Sequence, residues 1–126
     1  MNKTIENELE RCKPWLVPAI DREKEVSWDW VHQGVMNGDL QLWPGYESAM
    51  VTRVILKVEY DELQWMFAGG KLNEITKEIM PVVEDWARTQ NIRRASLTAR
   101  PGWSKALPDY TKSKQVKLFK ELSWEE

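Results

Sequence analysis

The segment Gly69-Gly70-Lys71-Leu72 has the residue types and spacing best suited to bind a ligand. It joins a predicted strand to the strongest helical pattern in the chain. Glycine lets the backbone approach a ligand closely, and the first N–H groups of a helix lack partners, so these four residues are candidates for binding a phosphate-bearing cofactor. The alternative is a tight strand-to-helix turn without a ligand, which a single Gly-Gly pair favours.

Side chains for acid–base, nucleophilic or metal chemistry are few. His32 is the only histidine, and its place on an amphipathic helix predicts a structural imidazole. Cys12 is the only cysteine and has no neighbouring histidine to activate it, so we expect an inert thiol and no internal disulfide. Without a Cys/His cluster, no metal site is predicted. The pair Asp61-Glu62 at a strand end is expected to be solvated.

Basic side chains cluster near the end of the long helix: Arg88, Arg93, Arg94, Arg100 and Lys105. They predict either contact with a phosphate or an acidic partner surface, or a solvated face balanced by nearby acids. Over the whole chain, 18 Lys and Arg stand against 20 Asp and Glu, giving a net charge of -2. This balance argues against a general nucleic-acid or anionic-membrane partner.

The length of 126 residues, with 42% hydrophobic and 30% charged content, predicts a single domain over 1–126. Residues 1–38 are expected to form a helical part and 39–122 a sheet core. No apolar stretch has the length of a signal peptide or a membrane span, so we expect a soluble intracellular protein. The eight tryptophans predict a division between core and interface, with ordinary core packing as the alternative.

Hydrophobic spacing predicts the order α-α-β-β-β-α-β-α-β, an α/β (α+β) fold with a mixed sheet flanked by helices. The first helix is expected over 3–13, because Pro14 and Pro18 interrupt the helical pattern after residue 13. Ser27 and Gly38 bracket the second helix. The remaining elements are a hairpin through Pro44-Gly45, strands near 49–58, 63–67 and 92–99, a long helix over 71–90 with a kink at Pro81, a short helix near 103–107 and a last strand over 115–122.

Several short strings between Gln41 and Leu122 carry a resemblance to known proteins. They are Gln41-Leu42-Trp43-Pro44-Gly45, Ser48-Ala49, Ala68-Gly69-Gly70-Lys71-Leu72, Trp86-Ala87, Arg100 with Gly102-Trp103, and Lys120-Glu121-Leu122. This block resembles a family of small proteins of tailed bacteriophages and prophages, often encoded near virion structural genes. The resemblance implies a GNAT (Gcn5-related N-acetyltransferase) fold.

In that fold the segment at Gly69, Gly70, Lys71 and Leu72 corresponds to a loop whose amides bind the diphosphate of acetyl-CoA, but it is shortened here. The family's usual position for a tyrosine general acid falls on Leu107. Tyr110, three positions away, is the only candidate catalytic residue. These departures favour a catalytically degenerate, virion-associated interaction module. The alternatives are an acetyl-CoA-dependent N-acetyltransferase with a minimal loop, and a phage factor that binds a host protein.

Under the interaction hypothesis, the residues expected to contact a partner are Trp43, Trp103, Arg100 and Trp124. The partner would be a phage structural protein or a host protein, and an oligomer is a further alternative. No cofactor is expected unless the acetyltransferase alternative holds. The expected location is the virion or the host cytoplasm.

Overall fold

The chain forms a mixed four-stranded β-sheet with helices on both faces. The computed structural model describes residues 3–23, 25–99 and 102–122. Its elements are α1 (Lys3–Asp21), α2 (Trp28–Asn37), β1 (Gln41–Pro44), β2 (Ser48–Leu56), β3 (Asp61–Gly70), α3 (Leu72–Glu74), a π-helical turn (Ile75–Ile79), α4 (Met80–Thr89), β4 (Ile92–Leu97) and α5 (Trp103–Ala106).

Helix α1 continues past both of its prolines to Asp21, so the prediction that it ends near residue 13 is wrong. Pro14 and Pro18 lie one turn apart on the exposed side. The opposite side buries the residues Leu9, Cys12, Leu16 and Ile20 against the sheet. Burying such side chains contributes about 1.5–3 kcal/mol each, which offsets the backbone hydrogen bonds that the prolines remove.

Helix α2 begins and ends where its capping residues predict. The Ser27 side chain accepts a hydrogen bond from the backbone N–H of Trp30, and Gly38 follows the helix with a φ of 88°. This positive φ is readily adopted by glycine, which explains the stop. Val31 and Val35 are buried, so this side of α2 faces the core.

The sheet has the strand order β1-β2-β3-β4, in which β1, β2 and β3 pair antiparallel and β4 pairs parallel to β3. Strand β2 is covered on both faces: Ala49 and Val51 lie in one core cluster with residues of α1 and α2, and Met50 lies in another with residues of the π-helical turn and α4. The alternation of side chains along a strand produces these two separate cores.

The long helix predicted over 71–90 is present as α3, the π-helical turn and α4 in succession. Its buried residues are Ile75, Ile79, Met80, Val83 and Ala87. Pro81 stands in the first turn of α4, directly after the π-helical turn. A wider turn before a proline accommodates the missing N–H donor, so the helix is irregular next to Pro81, and the kink itself stays a prediction.

The predicted last strand over 115–122 does not form. Residues 114–122 have no regular structure, and Val116, Leu118, Phe119 and Leu122 are each more than 70% exposed. A strand requires a neighbouring edge for its backbone hydrogen bonds, and this segment pairs with none. The correct order for the described residues therefore ends at α5.

Candidate functional site

The candidate site lies where the end of β3 and the start of the long helix meet the turn between β1 and β2, residues 45–47. Glu74 reaches this turn with its carboxylate. One oxygen accepts the N–H of Tyr46 at 2.9 Å, and the other accepts the N–H of Glu47 at 2.8 Å and the hydroxyl of Ser48. The backbone donors of the turn thus already bind an anionic group, and it belongs to the protein itself.

Helix α1 contacts the same turn through a side chain that donates to a carbonyl group of the turn. The guanidinium of Arg11 donates to the carbonyl oxygen of Gly45 at 2.9 Å and forms an ion pair with Glu8 at 2.7 Å. The hydrogen bond to Glu8 raises the pKa of Arg11. The turn is therefore fixed from both sides of the sheet, by Arg11 from one helix layer and by Glu74 from the other.

The two glycines lie inside β3 rather than in a free turn, and each is in close contact with backbone. A Cβ at Gly69 would lie 1.7 Å from the carbonyl oxygen of Trp15 in α1. A Cβ at Gly70, whose φ is +107°, would lie 2.3 Å from the carbonyl oxygen of Glu47. Both distances are far below van der Waals contact, so the local packing alone requires glycine at these positions.

Lys71 is engaged with the same turn. Its backbone N–H donates to the carbonyl oxygen of Glu47 at 3.3 Å, and its ammonium group lies 2.8 Å from the Glu47 carboxylate. Glu47 raises the pKa of Lys71, and the Ser48 hydroxyl, followed by the turn amides, lowers the pKa of Glu74. Leu72 is half exposed at the start of α3.

Tyr110 lies on the other core, between β3 and α4. Its hydroxyl accepts a hydrogen bond from Trp65 Nε1 at 2.9 Å and donates one to the Glu84 carboxylate at 2.7 Å. Burial, followed by the hydrogen bond to Glu84, raises the pKa of Tyr110 well above its ordinary value. Leu107, at the position where the resemblance places a general acid, is 8% exposed and packs in the core.

Strand β3 has a bulge next to Trp65, which hydrogen-bonds to Tyr110. Thr52 of β2 pairs with Trp65 and Val51 pairs with Phe67, so Met66 is an extra residue in the ladder. The parallel pairing of β3 with β4 also ends at Trp65, opposite Leu97. A bulge interrupts regular hydrogen bonding and often occurs beside a functional site.

Two of the predicted partner-contacting residues are described, and both are half-buried. Trp43 donates from Nε1 to Thr52 at 2.9 Å and packs edge-on against Trp86, with ring centroids 5.3 Å apart. Trp103 packs against the α4 side of the sheet. Arg100 and Trp124 lie outside the described residues. Among the seven described tryptophans only Trp30 is classed as exposed, at 45%, so most of this set is core-associated.

Three of the clustered basic residues, Arg88, Arg93 and Arg94, line an open groove beside β4. Arg88 also pairs with Asp85 at 2.5 Å, and Arg94 lies 5.0 Å from the Tyr60 ring. Lys105 is exposed on α5. The cluster is thus brought together in part, around the end of α4 and along one strand.

The remaining candidate side chains have structural surroundings. Cys12 is buried, and burial raises the pKa of its thiol, which agrees with an inert group. His32 is half-buried against the Trp28 ring. Within the part of the chain that the structure describes, no three His, Cys, Asp or Glu side chains are grouped to hold a metal, and no helix is long and apolar enough to cross a membrane.

Glu62 differs from its sequence-based expectation, because it is buried at 7% exposure rather than solvated. It accepts hydrogen bonds from Ser96 at 2.9 Å and from Lys57 at 3.3 Å. Burial raises the pKa of this carboxyl, but the bonds to Ser96 and Lys57 outweigh it and the net pKa is lowered. Glu74, Glu62 and Glu84 were all missed as site residues, since nothing local in the sequence shows which distant donors they meet.

The sequence matches no family model and no curated protein. Two similar solved structures are crystal structures of TTHA1254 from Thermus thermophilus, one of a point mutant and one of the wild type. The mutant aligns with a TM-score of 0.66 at 15% identity, and the wild type with 0.64 at 16% identity; each alignment covers 95% of both chains. At this identity the likeness shows a shared α+β fold.

Proposed function

We propose that this chain is a catalytically degenerate protein of GNAT-like fold that acts as a protein-interaction module in a tailed bacteriophage, associated with the virion. One observation carries the proposal: the segment that would bind a coenzyme, residues 69–72, together with the turn beside it, is bonded to the protein itself. The phage setting rests on the resemblance of the block from Gln41 to Leu122.

The residues present do not fit the diphosphate of acetyl-CoA. Gly69 and Gly70 leave no room beside the backbone of Trp15 and Glu47. The amides of Tyr46 and Glu47 donate to Glu74, and Lys71 is neutralised by Glu47. A diphosphate placed here would meet two carboxylates, and like charges at such distances repel.

The candidate acid is also poorly matched to acetyl transfer. In that reaction an amine attacks the thioester, a strand amide stabilises the oxyanion, and a proton returns to the thiolate. Tyr110 holds its proton in a hydrogen bond to Glu84, and its raised pKa makes release of the proton to a thiolate unfavourable. We therefore derive no catalytic step through this residue.

The N-acetyltransferase alternative is favoured by a different observation, the extra residue Met66 in β3 where the pairing with β4 ends. Such a bulge leaves a backbone group free to bind an oxyanion. The host-factor alternative and the virion proposal share the same requirement for a protein-binding surface.

Two experiments test the proposal. Calorimetric titration of the full chain with acetyl-CoA is expected to give no binding heat up to millimolar ligand. Micromolar binding, with acetylation activity lost in Tyr110→Phe, would establish the enzyme instead. Mass spectrometry of purified phage particles is expected to find abundant peptides of this chain. Their absence from particles, together with recovery on a host protein in infected cells, would favour the host-factor alternative.

A further inference from the structure

The outer edge of β4 borders an open groove of about 900 Å³. β4 is the terminal strand of the sheet, so within the described ranges its outer side has no strand neighbour. β1, the other terminal strand, has four residues and ends in Pro44, whereas β4 has six residues and no proline. A terminal strand of this kind presents unpaired N–H and C=O groups that accept a further strand.

The groove combines apolar and basic side chains. Its apolar part includes Ile92, Leu97 and Trp103, which also belong to or pack against the core. Its basic part includes Arg93, Arg94 and Lys112, together with Arg88, which is already paired with Asp85. Arg93 and Arg94 are exposed along the strand itself. The acids that line it are Glu84, which binds Tyr110, and Asp109.

Charge distinguishes between the segments that could add to this edge. The chain's own segment 114–122, which follows the groove-lining residues, carries three lysines and one glutamate, and the structure leaves its apolar residues exposed instead of paired with β4. In a second copy of the chain the same segment would bring its lysines to Arg93 and Arg94. Like charges opposed across strands are destabilising, whereas opposite charges are favourable. The groove therefore selects against this segment and in favour of an acidic one.

We infer that the β4 edge is a docking site for an extended acidic peptide segment of a partner protein, which adds as a fifth strand. Backbone hydrogen bonds to β4 supply affinity, alternate apolar side chains enter the groove beside Leu97, and the acidic side chains between them lie on the other face of the added strand, where they pair with Arg94. This inference rests on the proposed function as an interaction module and names the class of partner that the module binds.

Fluorescence anisotropy with the full chain tests the inference, using labelled ten-residue peptides of alternating glutamate and valine. We expect a dissociation constant on the order of tens of micromolar. A peptide with lysine in place of glutamate is expected to bind at least about tenfold more weakly. Two further peptides carry N-methyl groups, one on the odd-numbered amides and the other on the even-numbered amides. At least one of them is expected to bind about tenfold more weakly than the parent peptide, because only one set of amides faces β4.

The double variant R93E/R94E is expected to bind the glutamate peptide about tenfold more weakly than the wild type does. The matched control is R22E/K77E, which makes the same change of net charge at exposed residues outside the groove and is expected to bind like the wild type. Circular dichroism confirms that both variants fold. The inference would be overturned if the two double variants bound the glutamate peptide equally well. It would also be overturned if both methylated peptides bound the wild-type chain as tightly as the parent peptide does.

Light scattering across a concentration series tests whether a second copy of the chain occupies the β4 edge instead. Dimers that form with rising concentration and disappear in Leu118→Glu would assign the edge to a second copy and refute an acidic partner. Failure of every peptide to bind, while the chain is found in particles and gives no heat with acetyl-CoA, would refute this inference alone. Binding of acetyl-CoA would refute the proposed function alone.

Discussion

Replacing Gly69 by alanine tests whether the glycine pair is present for packing or for a ligand. The added Cβ would lie 1.7 Å from the carbonyl oxygen and 2.6 Å from the carbonyl carbon of Trp15. Neither atom belongs to a flexible side chain, so α1 must move away from β3. That movement disturbs the core around Leu16, which is fully buried in the same helix.

Overpacking a well-packed core typically costs 1–3 kcal/mol, and a helix backbone yields less than a side chain. We therefore expect Gly69→Ala to lower the free energy of unfolding by about 3 kcal/mol. For a domain of this size that corresponds to a fall in Tm of about 10 °C. It is a large share of a total stability on the order of 5–15 kcal/mol.

Two other glycines provide matched controls. A Cβ at Gly102 or at Gly38 meets nothing within 4 Å, but Gly38 has a φ of +88°. We expect Gly102→Ala to be nearly neutral and Gly38→Ala to cost about 1 kcal/mol through backbone strain. Urea unfolding followed by circular dichroism gives all three values. A Gly69→Ala variant as stable as Gly102→Ala would refute the packing explanation and leave a ligand as the reason for the glycine.

Three further predictions concern individual side chains. Glu74→Gln is expected to lower the free energy of unfolding at neutral pH. Because the folded-state pKa of Glu74 is lowered, the difference in stability between wild type and variant should shrink as the pH falls below about 4. Urea unfolding at several pH values measures this difference. Tyr110→Phe is expected to cost about 1–2 kcal/mol, since it removes the partner of the buried Trp65 N–H, whereas Tyr46→Phe at an 84% exposed position should be neutral. The Cys12 thiol is expected to react with a disulfide reagent only in denaturant, because it is buried.

Each of these has a result that contradicts it. A difference between wild type and Glu74→Gln that stays constant down to pH 2 would mean that the Glu74 carboxylate does not stabilise the turn. Equal stability of Tyr110→Phe and Tyr46→Phe would remove the Trp65–Tyr110 hydrogen bond from the account. Rapid modification of Cys12 in the native protein would place the thiol at the surface.

Local signals in the sequence predicted much of the fold. Ser27 and Gly38 bracket α2 because both caps act through bonds within a few residues. The predicted strand near 49–58 is present as β2, because the spacing of apolar residues along a strand is also a local signal. Where local and tertiary effects conflict, the sequence misleads: Pro14 and Pro18 disfavour a helix, yet packing of the opposite face carries α1 through both. A segment such as 115–122 has a strand-like pattern, but a strand also needs a partner edge.

The candidate site was predictable only in part, because its bonds join distant positions. Gly69 and Gly70 were found from their type, but their contacts with Trp15 and Glu47 come from helix placement. Glu74 binds donors 26 to 28 positions away, and Tyr110 meets Trp65 across 45 positions. No spacing rule within one helix or strand reaches that far.

The central claim is that the turn amides and Lys71 are already bonded within the protein and do not bind a coenzyme. The most direct measurement is a titration of the isotope-labelled full chain with acetyl-CoA, followed by backbone amide chemical shifts in NMR spectra. We predict that the amides of Tyr46, Glu47, Gly70 and Leu72 keep their shifts up to millimolar acetyl-CoA. Saturable shifts at these four amides with a micromolar midpoint would contradict the account.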